Sequence, residues 1–292
     1  MDGQELDLQL AGRASPGHLR EAAAQRTSPR LQRAAGLARA SVGSVGARTA
    51  LRRLHQAGCA KLRFPRAAGP GMEAVLVNTA GGLTGGDRID VELDVEAGAS
   101  LTLTSQACER VYRSLAGLAQ VSARLRAGEG AALAWLPQET ILFDGGAIVR
   151  SLEVEAAASS RLLLCESVIL GRQAMGESVR DGIFRDRWRV RRDGRLVFAD
   201  DLRLEGDIAR IAAEPALLGG ARAFATVLYG GEAPEDRLAA ARRILGEAGG
   251  ASLVDGLVVA RLAAADGLAL RRRLVPLLGA LASNPLPRIW SM

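Results

Sequence analysis

Ile89-Asp90-Val91-Glu92-Leu93-Asp94-Val95-Glu96 is the stretch that decides the fold class. Aliphatic and acidic residues alternate strictly along it. A side-chain period of two puts the aliphatics on one face and the acids on the other, which describes a half-buried strand with one wet face and not a helix. Ala97-Gly98-Ala99 then turns the chain. Leu101 and Leu103 resume the alternation against Thr102 and Thr104, so the pair reads as an antiparallel hairpin.

The same grammar extends in both directions. Val121, Ala123 and Leu125 alternate with Ser122, Arg124 and Arg126. Leu152 and Val154 alternate with Glu153 and Glu155, and Phe184, Trp188 and Val190 with Arg185, Arg187 and Arg189. Short strands are expected at 51–54, 61–64, 73–78 and 257–262, and a denser apolar one at 161–170. Asp193-Gly194 is a hairpin dipeptide leading into 196–198. Helices come late. Residues 234–247 carry Leu238, Ala241, Ile244 and Leu245 on one stripe, with Pro234 suited to the first turn and Gly249 to the stop. Residues 268–281 carry Leu270, Leu274, Leu277, Leu278 and Leu281, with Pro276 expected to kink them. The expected fold is mainly β, an antiparallel sandwich-like or β-helix-like body with two C-terminal helices. No repeat of fixed period stands out.

With 292 residues, 48% hydrophobic and 24% charged, the chain can bury a sizeable core. Residues 1–34 read as a flexible N-terminal arm, because 11–33 hold five arginines, two prolines and few large apolar residues. Residues 35–292 read as one domain. No uncharged apolar run reaches membrane-spanning length, and the early acids Asp2, Glu5 and Asp7 oppose a signal or transit peptide. Three dispersed cysteines supply neither a disulfide framework nor a CxxC zinc site, so the expected compartment is the cytoplasm. The net charge of +6 comes almost wholly from arginine, Lys61 being the only lysine. Scattered arginines and 3% aromatics are a poor match to a nucleic-acid reader.

Few motifs carry chemistry. Gly81 and Gly86 have the spacing of a phosphate loop, but Asp87 and Arg88 follow where lysine and a hydroxyl are needed. The glycines therefore read as a tight turn. No GxSxG elbow or HExxH helix exists. His18 and His55 are the only histidines, and His55 and Cys59 lie too far apart along a strand to meet. What remains is a set of carboxylates in apolar or glycine-rich surroundings: Asp87, Glu139, Asp144, Glu166 and Glu177. Glu166 interrupts a long apolar run, so it must be hydrogen-bonded, paired with arginine, or lining a wet cavity. Two readings follow. The acids could line a polar channel or weak cation path, or Glu139 and Glu166 could be the acid and base of a carboxylate-dependent hydrolase on a β scaffold.

The ordered series of motifs resembles the urease accessory protein UreD family, called UreH in some systems. The resemblance rests on Asn78-Thr79-Ala80-Gly81-Gly82-Leu83-Thr84-Gly85-Gly86-Asp87, Leu103-Thr104-Ser105-Gln106-Ala107, Val111-Tyr112-Arg113-Ser114, and Trp135-Leu136-Pro137-Gln138-Glu139-Thr140-Ile141 with Phe143-Asp144-Gly145. It continues through Glu166, Leu170-Gly171-Arg172, Met175-Gly176-Glu177, Leu202-Arg203-Leu204-Glu205-Gly206 and Pro287-Arg288-Ile289-Trp290. The resemblance implies a non-catalytic, cytoplasmic urease maturation chaperone. Its implied partners are apo-urease and the accessory proteins UreF and UreG, the last a GTPase. It further implies no tightly bound cofactor and a transient nickel path through an internal polar tunnel. Asp87, Glu139, Asp144, Glu166 and Glu177 would offer oxygen ligands there, with Thr104, Ser105 and Gln106 as neutral wall. Oxygen donors suit a conduit, which must bind weakly enough to release. The chain departs from the family pattern at Thr104-Ser105, where two threonines are usual, and at Glu109-Arg110, where Thr-Lys is common.

Overall fold

The computed structural model describes residues 32–66 and 69–291, so the expected arm lies almost wholly outside the described residues. The described part of the 35–292 body is built of strands with three α-helices. In chain order the strands are β1 (Ala35–Val45), β2 (Arg48–Gly58), β3 (Ala60–Arg63), β4 (Met72–Asn78), β5 (Arg88–Val95), β6 (Ser100–Ser105) and β7 (Glu109–Val111). Next come β8 (Ala119–Ala127), β9 (Ala132–Leu136), β10 (Thr140–Leu142), β11 (Ala147–Ala156), β12 (Arg161–Leu170), β13 (Ile183–Arg192) and β14 (Arg195–Glu205). Helix α1 (Ile208–Ala213), β15 (Ala223–Gly230), α2 (Pro234–Leu245), β16 (Gly249–Val254), β17 (Leu257–Ala264) and α3 (Gly267–Leu281) complete the body. No helix among the described residues is long and apolar enough to cross a membrane.

Of the two expected architectures, the β-helix-like one forms. A seven-stranded sheet runs β14-β13-β11-β8-β5-β1-β2, and a ten-stranded sheet runs β16-β17-β15-β12-β9-β6-β4-β3 with β10 and β7 beside β12. From β4 to β13 the chain alternates between them, and the strands coiled in this way pair in parallel. The hairpin expected at Ala97-Gly98-Ala99 does not form, because β5 and β6 belong to different sheets. Parallel neighbours need a long crossover. Here a strand of the opposite sheet supplies it, so no helix is required between them.

Coil length explains why no repeat was legible. Val91 pairs with Ala123, Ala123 with Leu152, and Leu152 with Trp188, so successive coils take 32, 29 and 36 residues. These inward columns fill the space between the sheets with buried aliphatics and the Trp188 ring. Asp193-Gly194 does join an antiparallel pair, β13 and β14. Beyond β12 the larger sheet becomes antiparallel, and α2 and α3 cover it with a second apolar cluster holding Leu245, Leu270, Leu274, Leu277 and Trp290. Pro276 is accommodated in one continuous α3, on its exposed side, where the carbonyl it leaves unbonded can be hydrated.

The two kinds of corner differ. Passing from the smaller to the larger sheet, the chain uses only residues 96–99, 128–131 and 157–160. In the other direction it uses the longer segments 79–87, 106–118, 137–146 and 171–182. These long corners stack: Leu83 bridges Val111, Val111 pairs with Leu142, and Leu142 with Leu170. All four side chains are buried, giving the edge its own apolar pillar.

Candidate functional site

Every acid singled out from the sequence lies on or beside this stacked edge, apart from Glu166, which sits on β12. Local geometry dictates the sequence at the first corner. Gly82 has φ of +150°, and a Cβ there would overlap the Tyr112 ring and the Arg110 carbonyl of the next corner. Only glycine fits. Asp87 closes the same corner, accepting hydrogen bonds from the Thr84 and Ala34 amides, each at 2.8 Å.

Asp144 binds the three later corners together, and Glu177 closes the last of them. Asp144 accepts from the Arg180 and Asp181 amides at 2.8 and 3.1 Å and from Arg113 at 2.8 Å. Glu177 accepts from the Arg172 amide and, bidentately, from the Nε and Nη2 edge of its guanidinium, at 2.8–2.9 Å. The Arg172 hydrogen bonds hold the Glu177 carboxyl down at about 2. The same guanidinium lies 4.4 Å over the Phe143 ring, which meets Tyr112 edge-on.

Glu166 faces the space between the sheets. Its Oε1 accepts from Trp135 Nε1 at 2.8 Å and its Oε2 from Arg150 at 2.7 Å. The other guanidinium nitrogen of Arg150 donates to Asp186, also at 2.7 Å, and Phe184 lies beneath it. One buried cation thus serves two largely buried carboxylates. Desolvation pushes the Glu166 carboxyl up, against the pull of Arg150.

Glu139 turns the opposite way, toward the helices. It is 1% exposed and accepts from Arg271 of α3 at 2.9 and 3.1 Å and from the Cys108 thiol at 3.3 Å. Arg271 also donates to Gln138 and lies 5.1 Å over the Trp290 ring. Burial, then Glu139, pushes the Cys108 thiol up to about 12. Gln138 links this group to the expected neutral wall. Its amide nitrogen donates to the buried Thr104 hydroxyl at 3.4 Å and its backbone N–H to Ser105 at 2.9 Å. Gln106 is exposed. Thr140, next to Glu139, points back inside and accepts from Arg150 at 2.9 Å. The Glu139-Thr140 step therefore joins the two polar groups through the sheet.

This geometry overturns the hydrolase alternative. Glu139 and Glu166 lie on opposite faces of one sheet, each held by its own arginine, so they cannot flank one bond. Among the described residues no group of three or more His, Cys, Asp or Glu could hold a metal ion.

Residues 34–291 match the model of the UreD urease accessory protein family. The chain is 49% identical over 267 residues to a urease accessory protein UreD of Rhizobium leguminosarum bv. viciae, covering 91% of this chain and 98% of the relative. It is 49% identical to that of Agrobacterium fabrum, covering 90% and 93%, and 50% identical to that of Mesorhizobium japonicum, covering 90% and 96%. The chain belongs to the UreD urease accessory protein family. UreD proteins are non-catalytic factors in urease maturation.

Sequence reasoning missed the cations of this UreD chain's interior. Arg150 and Asp186 occupy inward positions, in the columns of Ile148, Leu152 and Val154 and of Phe184, Trp188 and Val190. A charge interrupting an apolar column was the available signal. Arg271 left no such trace, because its partner Glu139 is 132 residues away. Glu109, at a departure from the family pattern, is held by Asn78 at 3.1 Å from both carboxylate oxygens. Burial pushes its carboxyl up to about 7.

Proposed function

We propose that this chain is a cytoplasmic scaffold that holds apo-urease together with UreF and UreG while nickel passes to the urease active site through its polar interior. The observation that carries this reading is the Arg150 centre. One guanidinium is shared by two carboxyl groups, Glu166 and Asp186, so the group carries one acid more than it has cations to match. Such an excess of acid attracts a divalent cation without caging it, as a conduit requires. The Glu139-Thr140 step would continue the route toward Gln138, Thr104 and Ser105, and Asp87, Asp144 and Glu177 would border it at the corner edge. Nickel is cargo in this account and no cofactor resides in the chain.

The test is urease matured with Glu166→Gln, which removes the charge and keeps the shape. The expected result is nickel-poor urease while the variant still co-purifies with urease and the accessory proteins. Normal nickel loading would make Glu166 a purely structural residue. Fully metallated urease in cells lacking the protein would end the scaffold reading as well.

A further inference from the structure

The outer face of the seven-stranded sheet carries a charge code. β5 presents Asp90, Glu92 and Asp94, β8 presents Arg124 and Arg126, β11 presents Glu153 and Glu155, and β13 presents Arg187, Arg189 and Arg191. In register, Glu92 meets Arg124, Arg124 meets Glu153, and Glu153 meets Arg189. Toward the other edge, β1 offers Arg39, which pairs with Glu92. Sign alternates strand by strand up to that point.

β2, the edge strand, breaks the code. It follows a basic strand yet is basic itself: Arg48-Thr49-Ala50-Leu51-Arg52-Arg53-Leu54-His55-Gln56-Ala57-Gly58 contains no acid. Arg53 and His55 stand on the outer face beside Arg39, above a groove of about 430 Å³. Leu51 and Leu54 pair with the buried Val42 and Ala40 and so share the core-side face, yet they are 37% and 41% exposed. Outside the β1 pairing, no backbone N–H or C=O of residues 50–57 is hydrogen-bonded among the described residues, although the Gln56 side chain accepts from the Leu62 amide at 2.8 Å. Natural sheets guard such an edge with charged side chains, a bulge, a proline or a cover, and the arginines of β2 repel a basic strand but not an acidic one. The one bulge here lies between β1 and β2, at Ser41/Val42, and does not block the outer edge.

We infer that β2 accepts an extended segment of a partner protein as an added strand, and that this segment alternates apolar and acidic residues. Apolar side chains would cover Leu51 and Leu54, acids would face Arg53 and His55, and main-chain bonds would complete the ladder. A second copy of this chain is a poor occupant, since antiparallel pairing of two β2 strands about Arg53 sets arginine against arginine. The edge lies within the residues that match the family, so its occupant is sought among partners of the shared body. The inference goes beyond the scaffold reading, and its test needs no urease protein.

The experiment uses the full chain and synthetic peptides of alternating Glu and Val, alternating Lys and Val, and Glu and Val in separate blocks. Fluorescence anisotropy should show binding of the first alone. Hydrogen exchange of the complex should slow at the amides of 50–57. The double variant Arg53→Glu/His55→Glu, at the two exposed side chains set against the acids, should bind the first peptide at least roughly tenfold more weakly with unchanged circular dichroism. Equal binding of the Lys or block peptide, protection confined to other strands, or dimerisation of the free chain through 50–57 would each overturn the inference. None of these outcomes bears on nickel loading, which tests the scaffold reading separately.

Discussion

Arg150 and Glu166 meet 2.7 Å apart across the space between the two sheets, with Arg150 the only cation that hydrogen-bonds Glu166 among the described residues. The pair ties β11 to β12, and through Asp186 it reaches β13. Removing one partner of a buried ion pair leaves an uncompensated charge and costs about 3–5 kcal/mol. Arg150→Leu strands two carboxylates, so it should lose at least that much in urea unfolding. Arg150→Lys should lose less but still measurably, because an ammonium cannot fork to both acids. Equal stability of Arg150→Leu and the parent would show that the centre contributes nothing to folding.

Glu109 gives the fold a pH dependence of definite sign. Its folded carboxyl is pushed up to about 7 from the ordinary 4.5. Between those values the unfolded chain binds fewer protons than the folded one at this site, so its contribution falls as pH rises. Glu109→Gln should therefore match the parent near pH 4.5 and be more stable by about 1–3 kcal/mol at pH 8. Denaturation midpoints of both proteins across this range check it, and a gap that shrinks as pH rises would contradict it.

The alternating pattern of β5 made the wet and dry faces legible, and the apolar run of β12 gave its bounds, 161–170, without error. Strand pairing was legible only at the Asp193-Gly194 hairpin of β13 and β14. Alternation says which face is buried but not which sheet a strand joins, and the uneven coils hid the repeat. β1 escaped because its inward residues include Ala38 and Ala40, small side chains with little strand preference, which lie buried there. The short β7 and β10 are held by the corner stack and not by their own periodicity. At the site, the acids stood out because carboxylates look costly in apolar runs. Their arginine partners lie on other coils or on α3, so only the fold brings them together.

The cysteines should differ in reactivity. Cys108 is bonded to Glu139 and its thiol is pushed up to about 12, while Cys165 is fully buried and raised well above the ordinary thiol range by desolvation. Only thiolates react. Iodoacetamide at pH 8 should leave Cys108 and Cys165 unmodified in the folded chain and label the partly exposed Cys59 slowly. Glu139→Gln should raise Cys108 labelling, since it removes the charge that opposes the thiolate. Mass spectrometry of the three peptides reads this directly, and labelling of Cys108 before Cys59 would contradict the buried Glu139 pairing.

The outer charge code should help set strand register. Glu92 lies between Arg39 at 2.6 Å and Arg124 at 2.8 Å, and their hydrogen bonds, Arg124 first, hold its carboxyl below the ordinary range. Exposed pairs of this kind contribute only about 0–1 kcal/mol each, and salt screens them. Glu92→Gln should therefore cost about 1 kcal/mol or less. Glu92→Lys places three cations in a row across β1, β5 and β8, and like charges directly opposite destabilise a sheet. It should lose more than Glu92→Gln at low salt, and the difference should narrow as sodium chloride is raised toward 1 M, where the screening length falls to about 3 Å. Thermal unfolding of the two variants at both salt concentrations measures that difference, and a gap indifferent to salt would assign the loss to packing instead of charge.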